Sequence, residues 1–137
     1  MTKIKGNNVL ITGGASGIGR LMGRMSLEKG ARTLIIWDIN EANIASTVEE
    51  FKSIGNVKGY RVDVSDSDKV VETAALTQKE CGNVDIVINC AGIVTSNATF
   101  DKLGIKEIER TMEINATAPM IIAKQFLPGM IERNHGH

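Results

Sequence analysis

The stretch Val9-Leu-Ile-Thr-Gly-Gly-Ala-Ser-Gly-Ile-Gly19 constrains the fold more than any other part of the chain. It joins an apolar run, Val9 to Ile11, to a helical pattern opening near Gly17, and the turn between them holds Gly13, Gly17 and Gly19. Glycine has no Cβ, so it accepts positive φ in a tight turn and lets an anion approach the backbone. The new helix offers unpaired N–H groups and a partial positive charge. Such a turn suits a pyrophosphate, and a dinucleotide is the ligand it suits best. Glycine patterns also occur in plain turns, so the flanking elements must carry the assignment.

Ile18, Leu21, Met22 and Met25 recur at helical spacing, and Gly30 supplies the stop. Thr33 to Trp37 is a short β-rich run that ends at Asp38, nineteen positions after Gly19. An acid about twenty residues beyond the glycines, at the end of a second strand, can accept hydrogen bonds from an adenosine ribose hydroxyl and repels a 2′-phosphate. Ile39 follows it, and none of Gly14, Ala15 or Ser16 is basic, so NAD is expected over NADP. Capping of the helix that starts near Glu41 is the alternative role for Asp38.

Further along, Ile44, Val48 and Phe51 mark the buried stripe of a second helix closed by Gly55. Val57 to Val64 reads as a third strand with Asp63 at its end, where an acid can meet a ligand lying across the carboxyl edge of the sheet or cap a helix. Ser65 and Ser67 are expected to cap the third helix, with Val70, Val71, Ala74 and Ala75 facing inward. The fourth strand, Val84 to Asn89, is nearly all apolar, as a strand covered on both faces should be, and runs into Asn89-Cys90-Ala91-Gly92. Small residues there let the backbone pass close to a cofactor, Asn89 could tie the strand to its neighbours, and Cys90 reads as packing. The alternation of strands and helices predicts an α/β fold, a doubly wound Rossmann-type parallel sheet with right-handed crossovers and helices on both faces.

From Ile105 to Arg133 the pattern is one long helix that Pro119 and Pro128 should bend or interrupt. Asn115 shares an apolar face with Ile108, Met112 and Pro119, so it is read as a buried amide, either a structural tie or a water holder near the site. The apolar surplus after Ala116 calls for further chain or a partner subunit. Sixteen acidic and sixteen basic side chains balance, which gives no net field to attract nucleic acid or an anionic membrane. No apolar run approaches the roughly eighteen residues of a membrane span, and Met1 to Gly6 is too short and polar for a signal peptide, so a cytoplasmic location is expected. Cys81 and Cys90 show no Cys-x-x-Cys spacing and His135 and His137 lie at the end of the chain, so no metal site is expected.

Together these residues resemble the short-chain dehydrogenase/reductase family in its compact form. Thr12-Gly13-x-x-x-Gly17-Ile18-Gly19, with Ser16 inside it, is similar to the family's cofactor-binding motif. Asp63-Val64 is similar to its adenine-contacting pair, Asn89-Cys90-Ala91-Gly92 to its Asn-Asn-Ala-Gly motif, and Asn115 to its catalytic Asn. The stretch Leu34 to Asn40 and the end Asn134 to His137 look most like the retinol and 17β-hydroxysteroid dehydrogenase group. The resemblance implies an NAD-dependent oxidoreductase that transfers hydride between a nicotinamide and a small-molecule alcohol or carbonyl, and a homo-oligomer formed through the helix 105–133.

In the family a Tyr acts as general acid and base, a neighbouring Lys lowers its pKa, a Ser orients the substrate oxygen and the Asn holds a water. Of these four only the Asn has a counterpart here. Tyr60 is followed four residues later by Val64, and Ser96 is the one serine after Gly92. Residues 1–137 therefore read as the N-terminal, cofactor-binding portion of a domain that needs roughly another hundred residues for a fifth strand and the Tyr-x-x-x-Lys segment. A non-catalytic NAD-binding module, or an inactive truncated fragment, is the alternative.

Overall fold

Strand β1 (Asn8–Thr12) is buried at every residue between two parallel neighbours, β2 (Thr33–Asp38) and β4 (Ile86–Asn89). The structure, a computed structural model, describes residues 3–94, 96 and 98–137. With β3 (Val57–Arg61) on the far side of β2, the parallel sheet has the order β3-β2-β1-β4. The chain winds outward from β1 to β3 and then crosses back to β4, so the order reverses between β1 and β4. Open α/β sheets bind ligands at the carboxyl ends of such a pair, because the flanking connections leave in opposite directions there.

Successive residues of a strand face opposite sides of the sheet, and here each side has its own core. Val9, Ile11, Leu34 and Ile36 pack with Leu27 of α1 (Gly17–Glu28) and Phe51 of α2 (Glu41–Phe51). Leu10, Ile35 and Trp37 pack with Val70 of α3 (Ser67–Cys81) and with Ile122 and Phe126 of α5 (Ala118–Glu132). Trp37 and Phe126 bring their ring centroids to 5.9 Å. The buried indole N–H of Trp37 donates to Thr77 Oγ1 at 3.1 Å, which removes the cost of an unpaired donor in the core.

Several local expectations are corrected. On α1 the residues turned to the sheet are Gly19, Gly23, Ser26 and Leu27, while Ile18, Leu21 and Met25 are exposed. The helix lies so close to the sheet that a Cβ on Gly23 would stand 3.0 Å from Leu34 Cδ2, so small residues take the inward face. On α3, Val71 and Ala75 point outward, and Thr73 and Thr77 join Val70 and Ala74 inside. Its cap is Asp66, whose side chain accepts from the Lys69 N–H at 3.0 Å; neither Ser65 nor Ser67 fills that position. Strand β3 ends at Arg61, because after one more bond, from the Val62 N–H to the Asp38 carbonyl, the chain enters a turn closed by the Asp66 N–H on the Asp63 carbonyl. Asp63 thus stands just past the strand.

The long C-terminal pattern is two helices. A π-helical turn, Glu113–Thr117, separates α4 (Ile105–Met112) from α5, which begins one residue before Pro119 and runs on through Pro128. Pro119 has no N–H for the Asn115 carbonyl four residues earlier, and its ring crowds that carbonyl; the wider turn relieves both. On α5, Ile122, Phe126 and Met130 are buried against the sheet, and Met120, Leu127 and Ile131 remain exposed. Beyond α5, the His137 N–H donates to the Asp85 carbonyl and the His137 carbonyl accepts from the Val87 N–H, a parallel-strand pattern on the outer edge of β4. No helix among the described residues is long and apolar enough to cross a membrane.

Candidate functional site

At the carboxyl ends of β1, β2 and β4 lies a cavity of about 450 Å³, and the glycine turn forms its floor. The turn is pinned from below: the N–H groups of Gly13 and Gly14 both donate to the Trp37 carbonyl, at 2.7 and 3.4 Å. Gly13 and Gly17 have φ of +64° and +49°, which disfavours a side chain at either position. A Cβ on Gly19 would stand 2.2 Å from the Gly13 carbonyl oxygen, so the first turn of α1 can sit against the loop only with glycine there. The first N–H groups of a helix have no partner within it, and the Ser16 side chain caps none of these. Backbone donors and the positive end of α1 therefore face the cavity beside Gly17, where a Cβ would meet nothing within 4 Å. That cradle fits a pyrophosphate.

Asp38 forms the next wall and is buried. One carboxylate oxygen accepts from the Ala15 N–H and the other from the Asn40 N–H, each at 3.0 Å. Capping of α2 falls to Asn40, which accepts from the Asn43 N–H, so helix capping is not what Asp38 does. A carboxylate has about four acceptor positions, and two backbone donors leave lone pairs for a ligand hydroxyl. Ile39 lines the cavity beside it, together with Ser16 and Ile18 from the turn.

The opposite wall is Cys90-Ala91-Gly92-Ile93. Thr12, at the end of β1, ties this wall to the glycine turn: its buried Oγ1 accepts from the N–H groups of both Cys90 and Ala91 at 3.1 Å. Two residues further on, the Asn115 amide closes a reciprocal pair with Ile93, accepting from its N–H at 2.9 Å and donating to its carbonyl at 2.8 Å. Asn115 is exposed, contrary to the expected buried amide, and its side chain is a tie that holds the cavity wall. Ile114, its neighbour in the π-helical turn, is buried and lines the cavity directly.

Val62, Asp63 and Val64 form the third side. Asp63 Oδ1 accepts from the Ser65 hydroxyl at 2.7 Å and the Ser65 N–H at 3.0 Å. The hydroxyl bond outweighs burial and, helped by that N–H and by the charges of Arg110 and Arg61, holds the Asp63 carboxyl below the usual aspartate range. Arg110 reaches across from α4, its Nη1 donating to Ser65 Oγ at 2.9 Å.

Most residues expected at the site thus converge on one cavity: Gly13, Ser16, Gly17, Ile18, Gly19, Asp38, Ile39, Asp63, Val64, Ala91 and Gly92 all line it. Asn89 does not. It lies on the other side of the sheet and lines a recess of about 150 Å³ with Phe126 and Leu127, because strand alternation turns it away from the wall that Cys90 joins. Thr12 and Arg110 are the functional additions. Thr12 carried a signal in its place before Gly13, whereas Arg110 belongs to no motif. Tyr60 lies apart from the cavity, its hydroxyl on Glu80 Oε2 at 2.8 Å and near Cys81 Sγ at 3.4 Å; burial, then these two neighbours, push its pKa up. Among the described residues no tyrosine and no lysine lines the cavity. A larger and more open hollow of about 760 Å³ lies near the opposite end of the sheet, between Lys3, Asn7 and His135 to His137, and holds none of these features. Among the described residues no group of three or more His, Cys, Asp or Glu is placed to hold a metal ion.

Comparison with known proteins places this geometry. The family model for short chain dehydrogenases matches residues 7–137. Short-chain dehydrogenase/reductase family 16C member 6 of Bos taurus is 40% identical over 136 residues, a match that covers 98% of this chain and 42% of the relative. 17-beta-hydroxysteroid dehydrogenase 13 of Homo sapiens is 38% identical, covering 98% of this chain and 44% of the relative. The chain therefore spans less than half the length of these relatives. Among solved structures, 2-keto-3-deoxy-D-gluconate dehydrogenase from Streptococcus agalactiae superposes with a TM-score of 0.83 at 30% identity, covering 98% of this chain and 50% of that one. NAD+-bound xylitol dehydrogenase shares the fold, with a TM-score of 0.91 at 23% identity over 98% of this chain and 52% of that one. With the motif residues gathered at one cavity and the family pattern running from Asn7 to His137, the chain belongs to the short-chain dehydrogenase family.

Proposed function

We propose that the chain binds NAD in the cavity of about 450 Å³ and serves as the cofactor-binding half of an oxidoreductase acting on an alcohol or carbonyl. The observation that carries this reading is Asp38: a buried carboxylate at the end of β2, anchored to Ala15 and Asn40 and flanked by the apolar Ile39. A ribose diol can donate to its remaining lone pairs, whereas a 2′-phosphate would meet a fixed negative charge. The N-terminal amides of α1 would hold the pyrophosphate. Asp63 and Val64 would border the adenine, and Ala91 to Ile93 would lie along the nicotinamide side. A bound nicotinamide would supply the site that accepts or donates hydride.

Asn115 contributes position here, because through Ile93 it fixes the wall nearest the expected chemistry. Names of relatives such as estradiol 17-beta-dehydrogenase 11 favour a secondary alcohol or ketone on an apolar molecule as substrate. A second reading, a nucleotide-binding module without catalysis, is favoured by one observation: Tyr60, the only tyrosine among residues 1–137, lies outside the cavity with its hydroxyl on Glu80 Oε2. Asp38→Ala tests the cofactor assignment. Loss of a charge-assisted hydrogen bond should weaken NAD about ten-fold and NADP much less, measured by calorimetric titration. Equal loss for both would make Asp38 a loop anchor only. Turnover of an alcohol by the 137-residue chain would exclude the module reading.

A further inference from the structure

Asp63 is one of the charged residues that line the cavity. It stands on a turn beyond β3, and its Oδ1 is spent on the hydroxyl and N–H of Ser65. Arg110 Nη2 stands 3.8 Å from its Oδ2. That distance is too long for a hydrogen bond, so Oδ2 keeps its lone pairs while the guanidinium biases which way it faces. The same guanidinium donates through Nη1 to Ser65 Oγ and approaches Glu113 Oε2 at 3.4 Å. One side chain from α4 thus spans the turn that carries Asp63, from a position that itself lines the cavity.

Resting on the NAD reading above, we infer that Arg110 is a positioning residue for the adenine end of the cofactor, holding the Asp63–Ser65 turn so that Asp63 Oδ2 meets the exocyclic amino group of the base. Arg110 is about half exposed, and exposed ion pairs add little to stability, so its loss leaves the fold intact. What its loss changes is the selection of a donor over an acceptor at that edge of the base. Nicotinamide hypoxanthine dinucleotide has a carbonyl where NAD has the amino group and is otherwise the same ligand, so it isolates this contact.

The experiment is calorimetric titration of both dinucleotides into the wild-type chain, Arg110→Gln and Ser65→Ala, with a melting curve for each protein. Wild type should prefer NAD about ten-fold. In Arg110→Gln that preference should fall to within about two-fold, with an unchanged melt, and Ser65→Ala should lie between the two. Retention of the wild-type preference in Arg110→Gln would overturn the inference, as would equal loss of affinity for both dinucleotides, which marks a general structural role. Wild type that binds NAD without preferring it would leave the NAD reading standing and remove the inference. Wild type that binds no NAD would remove both.

Discussion

The two long sides of the cavity are built in different ways. Along the glycine turn the contacts are backbone to backbone or backbone to buried side chain: Gly13 and Gly14 on the Trp37 carbonyl, Ala15 on Asp38, Cys90 and Ala91 on Thr12. Along α4 and the π-helical turn they are made by exposed side chains, Asn115 on Ile93 and Arg110 on Ser65. Buried hydrogen bonds are costly to break because water cannot replace the lost partner, whereas exposed ones are exchanged for water at little cost. The first side is therefore held by bonds that are costly to break, and the second by ties whose loss costs the fold little.

Substitutions on the two sides should differ accordingly. The largest effect is expected from Gly19→Ala, whose Cβ would stand 2.2 Å from the Gly13 carbonyl oxygen and push α1 off the loop. The helix N-terminal donors would move together, and NAD affinity should fall on the order of a hundred-fold in a calorimetric titration. Next comes Thr12→Val, which strips a shared acceptor from two backbone N–H groups. It should cost about 1–3 kcal/mol of stability by chemical denaturation. Asn115→Ala should cost less than about 1 kcal/mol, as befits an exposed tie, yet weaken NAD several-fold by freeing Ile93. A stability loss as large as that of Thr12→Val would erase the contrast between the two sides.

The smallest effect concerns pH. The native Asp63 carboxyl titrates below its unfolded value, so its stabilisation is fully present above about pH 4 and is lost as the pH falls through the lower native value. Ser65→Ala removes the principal cause of that shift. It should move the acid-unfolding midpoint, followed by circular dichroism, slightly upward; an unmoved midpoint would show that Ser65 does not hold the carboxylate.

The same division between local and long-range contacts decides what the amino-acid sequence discloses. The run from Val9 to Asp38 is legible because each step is local: apolar strand, glycine turn, helix, β-rich strand, acid. The inward face of α1 is not, because helical spacing marks Ile18, Leu21 and Met25 while close approach to the sheet selects Gly19 and Gly23. Pro119 announces an interruption, but the π-helical turn that absorbs it spans the five residues from Glu113, and this places Asn115 at the surface. Asp66 outcompetes Ser65 for the cap of α3 because Ser65 is drawn to Asp63, a competition that spacing alone leaves open. Arg110 is invisible until the fold brings α4 over a turn that lies 45 residues earlier.

Paired titration of NAD and NADP into the unmodified chain bears most directly on the proposed site. Saturable NAD binding, at least about ten-fold tighter than NADP, is the outcome that a fixed Asp38 carboxylate requires. Binding of NADP as tight as NAD, or binding of neither, would contradict it.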